Sequence, residues 1–429
     1  MSLPERSFEA PAPVRRHSDG LAPLPGNRSN VEIVLDLSRL LSRVLHPSPT
    51  GVDRVELAYA RTLKRLVPER LRYAALHPMG IYGRLSAAGV DAFLDHTERR
   101  WEMLGNDETA IAAHRFGLAQ CWALRPQPVS RPSGRRVLLQ VSPHHLDRSA
   151  TVARKLQREQ ARFVCLVHDI IPVSHPEYAR PNGRARHDRR LATIEAFADG
   201  ILANSQATLD SLVHHPGFRF RQRPARVAHL GVDLRRKEPA PGTVRPPYFV
   251  CVATIEPRKN HLLLLNIWRS IVEAVGPHQA PQLLLVGRRG WENENVIDML
   301  ERCPSLRGVV HELPRLADAE LRGLLQGARA LLMPSFAEGF GLPVAEALAA
   351  GVPVLASDIP AHREAGGTVP DYIDPIDGAG WRTAILAYQA PANPRRFAQL
   401  ERIAGWQPVT WRQHVETALS LIEEVAGPC

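Results

Sequence analysis

Lysine is nearly missing from this chain. Lys64, Lys155, Lys237 and Lys259 are the only four, so arginine supplies almost all of the 54 basic residues and the net charge of +10. A GC-rich genome would account for the ratio of arginine to lysine but not for the excess charge. Such an excess suits phosphates, an anionic membrane face or nucleic acid. Nucleic acid ranks last, because the basic residues are scattered and have no aromatic residues between them for base stacking. Cysteine is also scarce. Cys121, Cys165, Cys251, Cys303 and Cys429 have no paired spacing, which argues against a disulfide frame or a zinc cluster and for reduced thiols. No apolar run approaches a membrane span, and the opening residues do not read as a signal peptide. The expected location is the cytoplasm, with any membrane contact peripheral and at its inner face. No Asp-x-Asp pair occurs, and Asp371, Asp374 and Asp377 are interrupted by proline, so no metal site is expected. A Gly-x-Ser-x-Gly elbow is missing too, which removes the usual serine nucleophile.

What the chain does contain is a repeated alternation of apolar strands and amphipathic helices. At 429 residues it can bury two cores. Residues 1–30 are rich in Pro, Arg, Ser and Gly and read as a flexible arm. Residues 31–233 form a first α/β unit. Residues 234–247, LRRKEPAPGTVRPP, read as a linker. Residues 248–409 restart the pattern, and a closing helix lies within 410–429. Strands are predicted at 31–37, 71–77, 136–142, 163–167, 200–203 and 226–229 in the first unit. Those of the second unit are predicted at 248–253, 282–286, 309–313, 330–333 and 352–356. Helices are predicted at 92–104 and 108–118 among others, with Asn260 as the N-cap of one running to about Val275.

The most informative stretch is MPSFAEGFGLPVAEALAAGVPVLASD, from Met333 to Asp358. A buried strand enters a loop of small residues holding Glu338, Gly339, Phe340 and Gly341. A short helix follows, with Leu342 and Pro343 at its start and Gly351 past its end. This order puts backbone N–H groups and the positive end of a helix at the C-terminal edge of a parallel sheet, where an anion such as phosphate binds. Glu338 and Glu346 frame the site. Carboxylates repel phosphate, so their natural partners there are sugar hydroxyls. Arg258 and Lys259, at the end of another strand, supply a forked and a point cation for a diphosphate. His168 and Asp169 end a buried strand of the first unit. Thr50, Gly51 and Arg54 lie between its first strand and the next helix, where glycine lets a ligand approach the backbone.

Glu-x7-Glu around Gly-Phe-Gly-Leu-Pro, followed by Ala-x-Gly-x-Pro-Val, resembles the donor-site signature of family 4 glycosyltransferases. That resemblance implies the GT-B fold: two Rossmann-like α/β domains facing across a cleft, with the last helix crossing back to the first. It implies a retaining, metal-independent transfer from a nucleoside-diphosphate sugar, with no cofactor beyond that co-substrate. Lys259 then matches the lysine that binds the donor diphosphate, and His168 the histidine beside the donor sugar. Gly51 and Arg54 match the glycine loop between donor and acceptor, and Asn204-Ser205 a pair that follows a later strand. Where many members carry arginine, this chain has Thr254; either Arg258 takes that load or the phosphate clamp is weaker. The loop Thr-Ile-Glu-Pro-Arg-Lys-Asn is most similar to bacterial members that build surface polysaccharides. Mannose from GDP-mannose is the donor this implies, and a glycan or lipid-linked oligosaccharide the acceptor. The rival readings are a GT-B module that binds nucleotide or glycan without turnover, a sugar-nucleotide epimerase and a phosphorylase. A phosphorylase of the glycogen type would need a pyridoxal lysine, and the lysine of this crevice, Lys259, is already needed for phosphate.

Overall fold

The computed structural model of the chain describes residues 30–46, 49–103, 117, 119–120, 122–220, 223–232 and 247–427. The expected arm, the linker and most of the helix expected at 108–118 lie outside the described residues.

Two sheets organise the molecule. The first has seven strands: β1 (Val31–Asp36), β2 (Leu71–Leu76), β3 (Tyr82–Leu85), β4 (Arg135–Gln140), β5 (Arg162–Val167), β6 (Gly200–Ala203) and β7 (Ala225–Val227). Their spatial order is β3-β2-β1-β4-β5-β6-β7, parallel except for the antiparallel β2–β3 pair. The second has six strands: β8 (Tyr248–Val252), β9 (Gln282–Val286), β10 (Val310–Leu313), β11 (Leu331–Met333), β12 (Val354–Ser357) and β13 (Asp371–Ile373). They lie in the order β10-β9-β8-β11-β12-β13, all parallel. Each order reverses direction once, between β1 and β4 and between β8 and β11. In a doubly wound sheet that reversal opens a crevice at the C-terminal strand ends. β1, β5, β8 and β11 are buried nearly throughout, as strands covered by helices on both faces must be.

The chain's final helix, Trp411–Ala426, belongs with the first sheet. Val415, Ala418, Leu421 and Ile422 recur at helical spacing and are fully buried in the core that also holds Ile33, Leu35 and Val137. Each buried Val, Leu or Ile among them contributes about 1.5–3 kcal/mol when removed from water. Thr410 starts the helix with a capping box: its hydroxyl accepts from the Gln413 N–H while the Gln413 side chain takes the Thr410 N–H. His414 then bonds the Tyr59 hydroxyl at 2.7 Å and the His229 carbonyl at 2.9 Å. The second half has its own core around Trp268, Trp381, Tyr388 and Phe249.

Asn260 occupies the expected N-cap position of the helix His261–Val275, without a cap bond. It adopts a left-handed backbone and caps nothing with its side chain. Its amide instead donates to the carbonyls of Pro334 at 3.1 Å and Pro375 at 2.9 Å, binding three loops of the second half together. The helix expected from Ala92 starts earlier, at Ala87.

Candidate active site

The two loops at the second sheet's switch point carry the densest polar contacts. After β8, Pro257–Lys259 form a single 3₁₀ turn that points Arg258 and Lys259 towards the loop after β11. The loops are joined through backbone: Phe336 N–H donates to the Arg258 carbonyl at 2.8 Å, and Arg258 Nη1 donates to the Ala337 carbonyl at 2.9 Å. Arg258 Nη1 also reaches Glu338 Oε2 at 2.7 Å, while its Nε pairs with Glu256 at 2.6 Å. Lys259 Nζ bonds the other oxygen of Glu338, which the Ser335 hydroxyl also reaches at 2.8 Å. Burial alone would push the Glu338 carboxyl up. Lys259 and Arg258 outweigh it and hold that carboxyl far below the usual carboxylate range. In turn, Glu338 and Glu256 raise Arg258 against the opposing effect of burial. Glu256, nearly buried, is itself pushed upward by its loss of water.

Beyond Glu338 the chain turns sharply at Gly341, whose φ of 96° is in the region glycine favours. The helix Leu342–Ala349 starts there with Pro343 in its first turn. Glu346 is half-buried on that helix, and burial raises its carboxyl despite the charge of Arg54. Arg54 comes from the first half. Both of its terminal nitrogens fork onto Asp318, at 2.7 and 2.5 Å, so this bidentate pair spans the crevice. Gly51 starts the same helix as Arg54, and a side chain there would meet nothing within 4 Å.

Across the crevice stands the end of β5. His168 Nε2 bonds the Val141 carbonyl at 2.8 Å, and burial depresses its pKa. Its own carbonyl accepts from Asn204 Nδ2 at 2.9 Å. A Cβ on Gly339 would collide with that His168 carbonyl, so only glycine permits the loop to sit there. Ser205 Oγ and Thr208 Oγ1 both donate to the Gly339 carbonyl, at 2.5 and 3.0 Å. Phe340 is buried and stacks on His229, with ring centroids 5.5 Å apart. Leu342 is half-buried, and Thr254 is exposed on the loop after β8.

The structure thus joins Arg258, Lys259 and Glu338 directly. It brings Gly339 against His168, and it ties Arg54 near Glu346 through Asp318. Thr254 stands apart from this cluster, exposed to solvent. Sequence reading passed over Glu256, Ser335 and Asp318. Glu256 and Ser335 sit within three residues of Arg258 and Glu338, a proximity that could have flagged them. Asp318 starts a helix and looks like an ordinary first-turn carboxylate. Ser205 was expected as an N-cap and is one, accepting from Thr208 N–H at 2.9 Å, but it also grips Gly339. Among the described residues no group of His, Cys, Asp and Glu is arranged to hold a metal ion, and no helix is long and apolar enough to cross a membrane.

Comparison with known proteins adds a family. Residues 235–367 match the family described as glycosyl transferases group 1. The serotype-specific mannosyltransferase WbdA of Escherichia coli is 28% identical over 295 residues, covering 63% of this chain. That alignment spans only 34% of WbdA's own length. The O-antigen chain mannosyltransferase B of Escherichia coli is 27% identical over 301 residues, 68% of this chain and 74% of that protein. Among solved structures, sucrose-phosphate synthase from Thermosynechococcus elongatus superposes with a TM-score of 0.59 at 17% identity, covering 92% of this chain and 98% of that one. Anabaena HepE in complex with UDP-glucose gives 0.56 at 15% identity, covering 91% and 99%. At these identities the structures speak for the fold alone, and that fold is GT-B. The chain thus shares the GT-B fold of these structures, and residues 235–367 carry the match to glycosyl transferases group 1.

Proposed function

We propose that this protein transfers a hexosyl residue from a nucleoside-diphosphate sugar to a glycan or lipid-linked acceptor during bacterial polysaccharide synthesis, with retention of configuration. Mannose from GDP-mannose is the donor we favour, since the relatives named above are called mannosyltransferases. One observation carries the reading most. Lys259, Arg258 and Glu338 converge at the second sheet's crevice, inside the family-matched segment and opposite His168. As the glycosidic bond breaks, negative charge grows on the departing diphosphate. Lys259, Arg258 and the amides at the start of the helix Leu342–Ala349 would stabilise it where it develops. Glu338 would hold sugar hydroxyls and Glu346 the ribose diol. His168 would line the sugar from the first half. Attack from the face of departure, with the leaving phosphate taking the acceptor proton, needs no protein nucleophile. Closure of the halves would limit hydrolysis of the donor.

The test uses Lys259→Ala and Glu346→Ala with a panel of GDP- and UDP-sugars. Each variant should lose on the order of a hundredfold in kcat or more, the usual cost of one such group. Transfer at the parent rate by both variants refutes the site. Inverted product by NMR refutes retention, and a preference for another sugar nucleotide refutes mannose.

A further inference from the structure

Lys259 and Arg258 already hold an anion in this structure, and it belongs to the protein. Each oxygen of the Glu338 carboxylate takes one of the two cations, and Ser335 Oγ adds a third bond at 2.8 Å. The side chain is nearly buried, so water does little to screen these contacts. A diphosphate needs the same donors, and two anions cannot share one lysine ammonium at full strength. The surrounding bonds indicate which cation must change partner. Arg258 keeps Glu256 at 2.6 Å and the Ala337 carbonyl at 2.9 Å if Glu338 leaves, so its fork stays aimed. For Lys259, Glu338 is the one carboxylate partner among the described residues. The exchange therefore centres on the lysine.

We infer that Glu338 is an internal stand-in for the donor diphosphate, displaced from Lys259 when a sugar nucleotide binds and thereby released to accept the sugar's hydroxyls. This rests on the diphosphate role proposed above for Lys259 and Arg258. The arrangement couples the two halves of the donor. A ligand with phosphates but no sugar must displace Glu338 and offers it nothing in return. A ligand with both displaces it and then re-engages it. Glu338 thus penalises free nucleoside diphosphate relative to intact donor, which favours product release and donor loading.

Binding of inorganic pyrophosphate, GDP, UDP and the corresponding sugar nucleotides is measured by calorimetry on the full chain, with the parent, Glu338→Gln, Ser335→Ala and Lys259→Ala. Melting curves confirm that each variant is folded. Glu338→Gln should bind pyrophosphate and the preferred nucleoside diphosphate roughly five- to tenfold more tightly than the parent, the size of one charge-assisted hydrogen bond in competition. Its ratio of sugar-nucleotide to nucleoside-diphosphate affinity should fall. Ser335→Ala keeps the carboxylate but removes its third bond, and should tighten diphosphate binding in the same direction by less. If Lys259→Ala loses diphosphate binding while Glu338→Gln is unchanged or weaker, the stand-in is overturned and the donor site survives. If Lys259→Ala binds diphosphates as well as the parent, the donor site itself fails and the stand-in fails with it.

Discussion

Glu56 is a fully buried carboxyl on the helix Gly51–Leu66. Its Oε1 accepts the Leu40 N–H at 3.0 Å, and the Ser142 side chain faces the carboxyl. Asp36 lies nearby, itself paired with the buried Lys155 at 2.6 Å. Burial pushes the Glu56 pKa up to about 8, against the Leu40 bond that lowers it and with the Asp36 charge that raises it further. The group is therefore neutral in the folded protein at pH 7 and ionised in the unfolded chain. The unfolded state binds fewer protons than the folded state between about pH 4.5 and 8, so the contribution to stability is complete below that window and is lost as pH rises through it. Glu56→Gln keeps an acceptor for Leu40 and removes the ionisation. The melting temperature of this variant relative to the parent should climb from pH 5 to pH 8, by an amount on the order of a few kcal/mol of stability. A difference that stays flat across that range would mean Glu56 is ionised in place. Nothing in Val-Glu-Leu-Ala announces a buried acid; on a helix next to Asp53 and Arg54 it reads as part of a solvated face.

At the scale of elements, the loop after β11 is the piece on which both halves depend. Its strand, loop and helix were legible because an apolar run, a glycine cluster, Pro343 and Gly351 punctuate it in order. The positions of the strands on both sides of it followed from apolar runs alone. The short β3 and β13, of four and three residues, did not, since neither is long enough to show a period. Asn260 stands at the N-cap position that its type predicts, but its side chain is recruited by two distant carbonyls in place of a cap bond, as tertiary contacts override local preference. The requirement for glycine at 339 was partly visible as a motif, but its cause lies in a residue far away in sequence. Gly339→Ala would drive a methyl into the His168 carbonyl and towards Asp169 Cβ at 3.2 Å. The loop then has to lift from β5, carrying the Gly339 carbonyl away from Ser205 and Thr208. Each half keeps its core, so the melting temperature should move by only a few degrees. Transfer should fall on the order of a hundredfold, the penalty for misplacing reacting groups by about 1 Å. Retention of GDP binding in the same variant would locate the damage between the halves rather than in the donor half.

In the molecule as a whole, a hydrophobic cluster runs from one half into the other, holding Ile33 and Val137 with Leu331 and Val354, and polar contacts join the halves around it. Arg54 and Asp318 join at one point, and Ser205, Thr208 and Gly339 at another. Trp291 Nε1 donates to the Tyr178 carbonyl at 3.0 Å, and Tyr178 stacks on Phe336. The Glu364 carboxylate reaches from the second half to the start of the helix Gln206–Val213. There it accepts the N–H groups of Gln206 and Ala207 at 2.5 and 2.7 Å, and it pairs with His229 at 2.9 Å. An acid from one half thus satisfies otherwise unpaired amides of the other and sits at the favourable end of its dipole. Polar contacts of this kind can break and re-form at little cost, which suits motion of one half against the other. None of it was legible beforehand, because neither partner's sequence names the other. Glu364→Ala should therefore loosen closure while leaving the cation cluster of Arg258 and Lys259 whole. Amide hydrogen exchange at Gln206 and Ala207 should speed up, and kcat/KM should drop by roughly tenfold, the scale of one charge-assisted bond. Donor binding should stay within a few-fold of the parent, since Arg258, Lys259, Glu338 and Glu346 all belong to the second half. Unchanged exchange at those two amides would mean that Glu364 does not hold the halves together in solution, and closure would then rest on the Gly339, Arg54, Trp291 and ring-stacking contacts.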